Sequence, residues 1–421
     1  MFLIKGAVCS EMENELFTLT RKGNLKIIKI LLDNDANPNA YAESGFTALH
    51  TAAEHGHTEI VKALLEHGAN PDAVSLSQSA ITPLYFASAK GHVNVVSTLL
   101  DNGANVNLRI GKGVSPLYVA SMNDNIEVLN LLIKGGADVN LTTNDECSSL
   151  QTAAEKGCLN IVNSLLEAGA EVNHKAASGC TALYYAASRG RIDVIQRLIQ
   201  VGAEVNVLAA NGSAIHAASC NGHIETVSCL ILKGADVNLK ADLDVTPLYQ
   251  ASLGGRLEIV EMLLRNGADV NSSTVEECSP LHTASEHGHL DVVNALISHG
   301  ADLNQLNVSR TPALYYASHK GHIAIVRKLI QNGAIVNVQN INGFSPLHTA
   351  CEQGHTEIVK LLLARKADVH KRSNNGQTAL LLSAAKRHGS ILLLILRHSV
   401  IDFLPKLFIL LLCICLPLLL D

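Results

Sequence analysis

Small, apolar and polar positions follow one another in a fixed order along this chain. One complete copy reads SPLHTASEHGHLDVVNALISHGADLN from residue 279 to residue 304. From Leu290 the apolar residues recur at i, i+3, i+6 and i+7, which places them on one face of a helix. Leu281 and Ala284 belong to an earlier helix, which a Gly-His pair separates from the second. The pattern predicts two short helices joined by a tight turn, the second ending at Gly300, where glycine accepts a left-handed cap.

The same order recurs along most of the chain, at spacings of 32 to 35 residues. The position of Leu281 holds Leu or Ile in ten other copies, at residues 49, 84, 117, 150, 183, 215, 248, 314, 347 and 380. A fixed period of this length is typical of a solenoid, in which each unit buries its apolar face against its neighbours. With a degenerate first copy at 16–39, twelve units are predicted over residues 13–402, between a lead of residues 1–12 and a tail of residues 403–421.

Glycine and proline mark the boundaries of each unit. A glycine ends the second helix at Gly68, Gly103, Gly136, Gly169, Gly202, Gly234, Gly267, Gly300 and Gly333. A short turn follows, and the next unit opens with Ser or Thr, often before Pro, as expected of a helix N-cap and first turn.

The unit resembles the ankyrin repeat. The resemblance rests on TPLY at 82–85 and 246–249, SPLH at 279–282 and 345–348, and GADVN at 136–140, 234–238 and 267–271. It implies an all-α ankyrin-repeat solenoid of helix-turn-helix units with hairpin-like turns, stacked as a curved superhelix. It also implies a concave face, formed by hairpin tips and first helices, that binds other proteins.

Four histidines share the position after the leading Leu or Ile, where other units have Tyr or Gln151: His50, His216, His282 and His348. Tyr and Gln keep a polar tip without the imidazole that binds metals, and the resemblance implies that these histidines form hydrogen bonds between units. The strongest case for a metal is the shared spacing of His50, His55 and His57 with His282, His287 and His289. Because the units between lack this set, neither a metal nor a cofactor is predicted.

The two positions before the mid-unit glycine vary most, and the family geometry directs them into the concave groove. The predicted partner-binding residues there are Glu54, His55, Lys90, Asp124, Glu155, Lys156, Ser188, Arg189, Asn221, Glu286, His287, His319, Lys320, Glu352 and Gln353. A basic patch is predicted around Lys90, Lys112, Lys156, Arg189 and Arg191. These mixed charges indicate a protein partner, although any single pair is equally consistent with a solvated surface.

Composition and charge narrow the classes of function. The net charge of −6 gives no reason to expect a nucleic-acid partner. The chain has no CxxC pair, and its first residues are too short an apolar run for a signal peptide, which favours the cytoplasm and reduced thiols. No Ser-His-Asp set, GxxxxGK[ST] loop or HExxH motif is present. We therefore expect a monomeric, non-enzymatic scaffold or adaptor.

The last residues depart from the repeat. From Leu407 to Leu420 no residue is charged, and from Phe403 only Lys406 is. This stretch is at or below the length that crosses a bilayer. Three interpretations remain open: residues 403–420 anchor the protein to a membrane as a tethered adaptor, they form a helix packed on the end of the solenoid or on a partner, or they reflect a truncation or gene-model error.

Overall fold

The computed structural model describes residues 11–399, and over that range it is all-α, without extended strands. The chain divides into two compact units between Ala214 and Ile215. Each unit is a series of antiparallel helix pairs, so the predicted all-α solenoid is confirmed.

The first unit contains six helix pairs within the described residues: α1 (Glu11–Lys22), α2 (Leu25–Asp33), α3 (Ala48–His55), α4 (Thr58–Glu66), α5 (Pro83–Lys90), α6 (Val93–Asp101), α7 (Pro116–Met122), α8 (Ile126–Lys134), α9 (Ser149–Lys156), α10 (Leu159–Glu167), α11 (Ala182–Ser188) and α12 (Ile192–Gln200). Each odd-numbered helix contacts the next odd-numbered helix, and each even-numbered helix contacts the next even-numbered one. Each repeat therefore packs mainly on the repeats before and after it.

The second unit continues the pattern, and α13 begins at its boundary: α13 (Ala214–Asn221), α14 (Ile224–Leu232), a 3₁₀ turn (Asp242–Asp244), α15 (Pro247–Leu253), α16 (Leu257–Arg265), α17 (Pro280–His287), α18 (Leu290–Ser298), α19 (Ala313–Lys320), α20 (Ile323–Gln331), α21 (Pro346–Gln353), α22 (Thr356–Ala364) and α23 (Ala379–Ala385). A last helix occupies residues 389–399, where the described range ends. From α15 to α23 the first helices contact one another in order.

Local chemistry fixes where the first helices begin and end. The hydroxyl of Thr82 accepts a hydrogen bond from the backbone N–H of Tyr85 at 3.2 Å, and Pro83 occupies the first turn. The helix ends at Gly91, whose φ of 77° is left-handed. The predicted repeat-end glycines, from Gly68 to Gly333, also have φ between 82° and 99°.

The core consists of small layers, one for each repeat. Leu281, Val293 and Leu296 are buried between neighbouring repeats. Ala284 and Ser285 are fully buried where α17 meets the first helices on either side. Small side chains let these helices approach closely, which explains why the sequence keeps alanine at this position.

An asparagine at the end of most GADVN-type turns links one repeat to the next, while Asp72 and His370 take its place in two turns. Asn271 donates its side-chain N–H to the carbonyl oxygen of Gly300 at 3.4 Å, and its side-chain oxygen accepts from the N–H of Asp302 at 2.8 Å. Asn140 makes the same two bonds with Gly169 and Glu171, at 3.3 and 2.9 Å. The turns are thereby joined into a continuous edge within each unit.

Both ends of the chain lie outside the described residues. The predicted tail of residues 403–421, with its membrane segment at 403–420, lies outside the described residues, as do residues 1–10. Within residues 11–399, no helix combines the length and the apolar character needed to cross a membrane. In the last repeat, Arg387 takes the left-handed conformation (φ 62°) that glycine has in most other repeats.

Candidate protein-binding face

The four predicted structural histidines are buried between repeats. The Nε2–H of His282 donates to the carbonyl oxygen of Thr311 in the next repeat at 3.0 Å. Its Nδ1 accepts from the backbone N–H of Ser279, 3.1 Å away, and from the Ser279 hydroxyl, 2.8 Å away. His50 and His348 make equivalent bonds on both sides of the ring. These rings therefore have both nitrogens occupied.

The environment of these rings favours the neutral imidazole. Burial lowers the pKa of His50, His216, His282 and His348, while hydrogen bonds to backbone carbonyls oppose the shift. Protonation at Nδ1 would also remove the acceptor for the N-cap N–H. Gln151 reproduces the arrangement without a titratable group, because its oxygen accepts from Ser148 N–H at 2.7 Å and its N–H donates to the Cys180 carbonyl at 2.8 Å.

A second set of histidines follows the mid-repeat position, which holds glycine in most repeats and Arg387 in the last, and reaches back to the preceding repeat. The Nε2–H of His322 donates to the carbonyl oxygen of Glu286 at 3.0 Å. His92, His289, His355 and His388 make the same kind of bond to the repeat before them. A Cβ added to Gly288 would lie only 2.7 Å from the His322 ring. Glycine at this position therefore allows both the left-handed backbone and the close packing of the His322 ring against it.

Neither histidine trio of the sequence analysis converges on a common point. The rings of His55 and His57 are nearly parallel with their centroids 5.9 Å apart, and those of His287 and His289 are nearly parallel with their centroids 6.2 Å apart. The remaining histidine of each trio, His50 or His282, is buried, and both of its ring nitrogens already form hydrogen bonds. Across the described part of the chain, no three His, Cys, Asp or Glu side chains are grouped as metal ligands.

Most predicted partner-binding residues lie at the ends of the first helices, so within each unit neighbouring repeats present their pairs side by side. The first residue of most pairs is half-buried, as at Glu54, Ser188, Glu286, His319 and Glu352. The second is exposed, as at His55, Lys90, Lys156, Asn221, His287 and Gln353. Asp124 lies instead at the position of the mid-repeat glycine, with a left-handed φ of 58°.

Ion pairs connect this row from one repeat to the next. Arg189 binds Glu155 at 2.8 Å in the first unit. In the second unit, Lys320 lies 3.4 Å from Glu286, and Lys386 lies 3.6 Å from Glu352. The half-buried carboxylate of one repeat thus meets the exposed cation of the following repeat. Lys386 was missed in the sequence analysis, although its spacing from Glu352 repeats that of Arg189 from Glu155.

The row therefore carries both signs of charge, including within the predicted basic patch. In the predicted basic region, Arg189 is neutralised by Glu155, and Arg191 donates its Nε–H to the Glu155 carbonyl oxygen at 3.2 Å. Tyrosines add apolar area beside the charges. Tyr118, Tyr249 and Tyr315 are half-buried, and burial raises the pKa of each phenol.

Two thiols, Cys158 and Cys351, are poor nucleophiles at neutral pH. Burial raises the pKa of Cys351 to about 12. Burial, followed by a hydrogen bond with Asp124, raises the pKa of Cys158 to about 11. Because the thiolate is the reactive form, both side chains act as small packing groups.

Comparison with known proteins defines the class. A family model described as ankyrin repeats (3 copies) matches residues 16–110, 72–143, 117–209, 150–241, 183–274, 215–307, 272–340 and 314–404. The chain therefore belongs to the ankyrin-repeat family, whose members are generally protein-interaction modules.

Among solved structures, the crystal structure of the human ASB11 ankyrin repeat domain is 30% identical to this chain. The match covers 53% of this chain and 99% of that chain, with a TM-score of 0.49. No curated protein matches the sequence.

Proposed function

We propose that the protein is a non-enzymatic scaffold that binds another protein through the row of residues at the ends of its first helices. The observation that carries the proposal is the alternation along this row of half-buried carboxylates, exposed cations and half-buried tyrosines. A surface that combines apolar area with organised charge is typical of protein interfaces. The working state is a monomeric repeat array in the cytoplasm.

The test uses two variants of the full chain that change the same two repeats. The first replaces Glu155, Lys156, Ser188 and Arg189 with Ala. The second replaces four exposed residues of α10 and α12 with Ala, namely Asn160, Glu167, Gln196 and Gln200. Partners that the native chain captures should be lost with the first variant and kept with the second. If both variants capture the same proteins as the native chain, the row is not the binding face.

A membrane-tethered adaptor is the alternative, favoured by the uncharged sequence from Leu407 to Leu420. Vesicle sedimentation of the full chain and of residues 1–402 separates the two functions. A tethered adaptor requires that only the full chain sediments with vesicles. If both remain in the supernatant, the tether is eliminated while the binding face is unaffected.

A further inference from the structure

The charge of the chain is distributed very unevenly. Residues 303–399 contain 12 Lys and Arg but only 3 Asp and Glu, a formal charge of +9. Residues 1–302 contain 19 and 33, a formal charge of −14. No Asp or Glu occurs between Leu303 and Cys351. The overall charge of −6 conceals this contrast, which a count over separate segments reveals.

Part of this positive charge lines a groove formed by three successive hairpin turns of the second unit. The groove has a volume of about 490 Å³ and is lined by Arg310, Lys371 and Arg372 together with the amide side chains of Gln339, Asn340 and Asn374. Among the described residues that line it, none is acidic and none is aromatic. Its volume is within the range of ligand-binding pockets.

Backbone and side-chain hydrogen bonds hold these turns together. Gln339 donates its side-chain N–H to the carbonyl oxygen of Arg372 at 3.0 Å. Asn374 donates from its side chain to the Ile341 carbonyl at 2.8 Å. The buried ring of His348 donates to the carbonyl oxygen of Lys371 at 3.1 Å. The groove is therefore organised before any ligand binds, which reduces the entropy lost on binding.

The cations keep their capacity to bind an anion. Lys371 lies 3.2 Å from the Gln339 side-chain oxygen, and Arg372 donates to the Gly376 carbonyl at 3.3 Å. Both partners are neutral, so neither cation is neutralised by its bond. Arg310 is exposed at the tip of its turn. Asp368 precedes Lys371 by three residues but does not line the groove, and on the turn before Arg310 the carbonyl of Glu276 accepts from Val308 N–H.

We propose that this groove binds an acidic segment of a partner protein, one that presents several Asp or Glu side chains. The guanidinium groups of Arg310 and Arg372 suit carboxylates, which accept paired hydrogen bonds from arginine. Single-stranded nucleic acid is disfavoured because its sites stack bases on aromatic side chains, and none line the groove. This inference rests on the proposed scaffold function and specifies the chemistry of a partner segment that would bind the second unit of this chain.

The experiment measures binding of a fluorescent ten-residue peptide, half Asp and Glu and half Gly and Ser, to the full chain by anisotropy. The groove variant carries Arg310→Gln, Lys371→Gln and Arg372→Gln. Its matched control carries Arg327→Gln, Lys328→Gln and Arg365→Gln, which removes the same charge from the same repeats but from the region of the second helices. We expect the groove variant to weaken binding about 10-fold or more and the control about twofold or less, because charge-assisted hydrogen bonds outweigh the general field.

Binding of the peptide should also depend on the salt concentration and on the charge of the peptide itself. Binding should weaken when the salt concentration rises from about 50 to 300 mM, and a peptide with Asn and Gln in place of the acids should not bind. Equal losses in both variants would reduce the groove to a general field effect and overturn the proposal, as would no binding by the native chain. Tighter binding of oligothymidylate at the groove, or salt-sensitive self-association that the groove variant abolishes, would assign the groove to nucleic acid or to a second copy.

Circular dichroism and thermal unfolding of both variants check that the fold is intact. The outcomes are also separable from those of the scaffold proposal. If partner capture depends on Glu155 and Arg189 but the acidic peptide does not bind, only the groove proposal fails. If the peptide binds at the groove but neither helix variant alters capture, only the proposed face is wrong.

Discussion

Two neighbouring repeats of the second unit, residues 279–300 and 312–333, have the same two helices but different polar links to the next repeat. In the first, His282 is buried and joins its own N-cap to the Thr311 carbonyl. In the second, Pro312 occupies the N-cap without a side-chain bond, and Tyr315 is only half-buried, stacked on His319 at 6.3 Å. The position after the leading leucine is therefore filled either by a buried histidine or by a half-buried tyrosine. Of these two, we expect only the histidine to make the stability of its repeat sensitive to acid.

The largest effect should come from removing the buried ring. We expect His282→Ala to lower the free energy of unfolding by about 3 kcal/mol, since it leaves a cavity and buried polar groups without partners. Tyr315→Phe should cost less than about 1 kcal/mol, because water can replace a half-exposed hydroxyl. Urea unfolding followed by circular dichroism measures both. Equal losses in the two variants would contradict the distinction between the repeats.

The two glycines of the repeat 279–300, Gly288 and Gly300, offer a second comparison. Gly288 and Gly300 are both left-handed, at φ of 83° and 85°, but nothing lies within 4 Å of a Cβ added to Gly300. Gly300→Ala should cost about 1 kcal/mol, from backbone strain alone. Gly288→Ala should cost about 2 kcal/mol or more, because it also displaces His322 from its bond to the Glu286 carbonyl. Thermal unfolding midpoints decide this, and equal midpoints would show that the ring yields without loss.

Acid should destabilise the histidine repeats specifically. Burial lowers the pKa of His282 in the folded chain, so the unfolded chain binds more protons at acid pH. The contribution of neutral His282 to the free energy of unfolding is complete above the pKa of the unfolded chain, about 6.5, and is lost as the pH falls through the lower pKa of the folded chain. We expect His282→Gln, which copies the bonding of Gln151, to have nearly the same free energy of unfolding as the native chain at pH 8. Between pH 8 and pH 5, the free energy of unfolding should fall less for this variant than for the native chain. An unchanged pH dependence would show that this ring does not titrate on unfolding.

The smallest effect should be that of the surface ion pair between the same repeats. Lys320 lies 3.4 Å from Glu286, and both side chains are partly solvated. Lys320→Gln should change the free energy of unfolding by less than about 0.5 kcal/mol, because exposed pairs contribute little. A stability loss comparable with that of His282→Ala would show that the row of ion pairs is structural, which would weaken its assignment to partner binding.

Periodicity made the fold predictable, and the family resemblance implied the histidine hydrogen bonds between repeats, but the ion pairs between repeats were not predicted. Spacing alone predicted the helices, the left-handed glycines and the all-α solenoid, because each repeat solves the same local packing problem. Spacing could not reveal that Glu286 meets Lys320, since that contact depends on how far one repeat is displaced from the next. It also did not place Asp124 at the turn, because a missing glycine left the alignment of that repeat one residue out of register.

The sequence by itself therefore determined the repeat, its helices and its class, because hydrophobic period, N-caps and glycines act within about one turn of the chain. Only the tertiary structure decided which polar groups meet. It placed Arg310, Lys371 and Arg372 around one groove although they are some sixty residues apart in sequence, and it occupied both nitrogens of His50, His282 and His348. These decisions lie in the stacking of repeats, where side chains distant in sequence are brought within hydrogen-bonding distance.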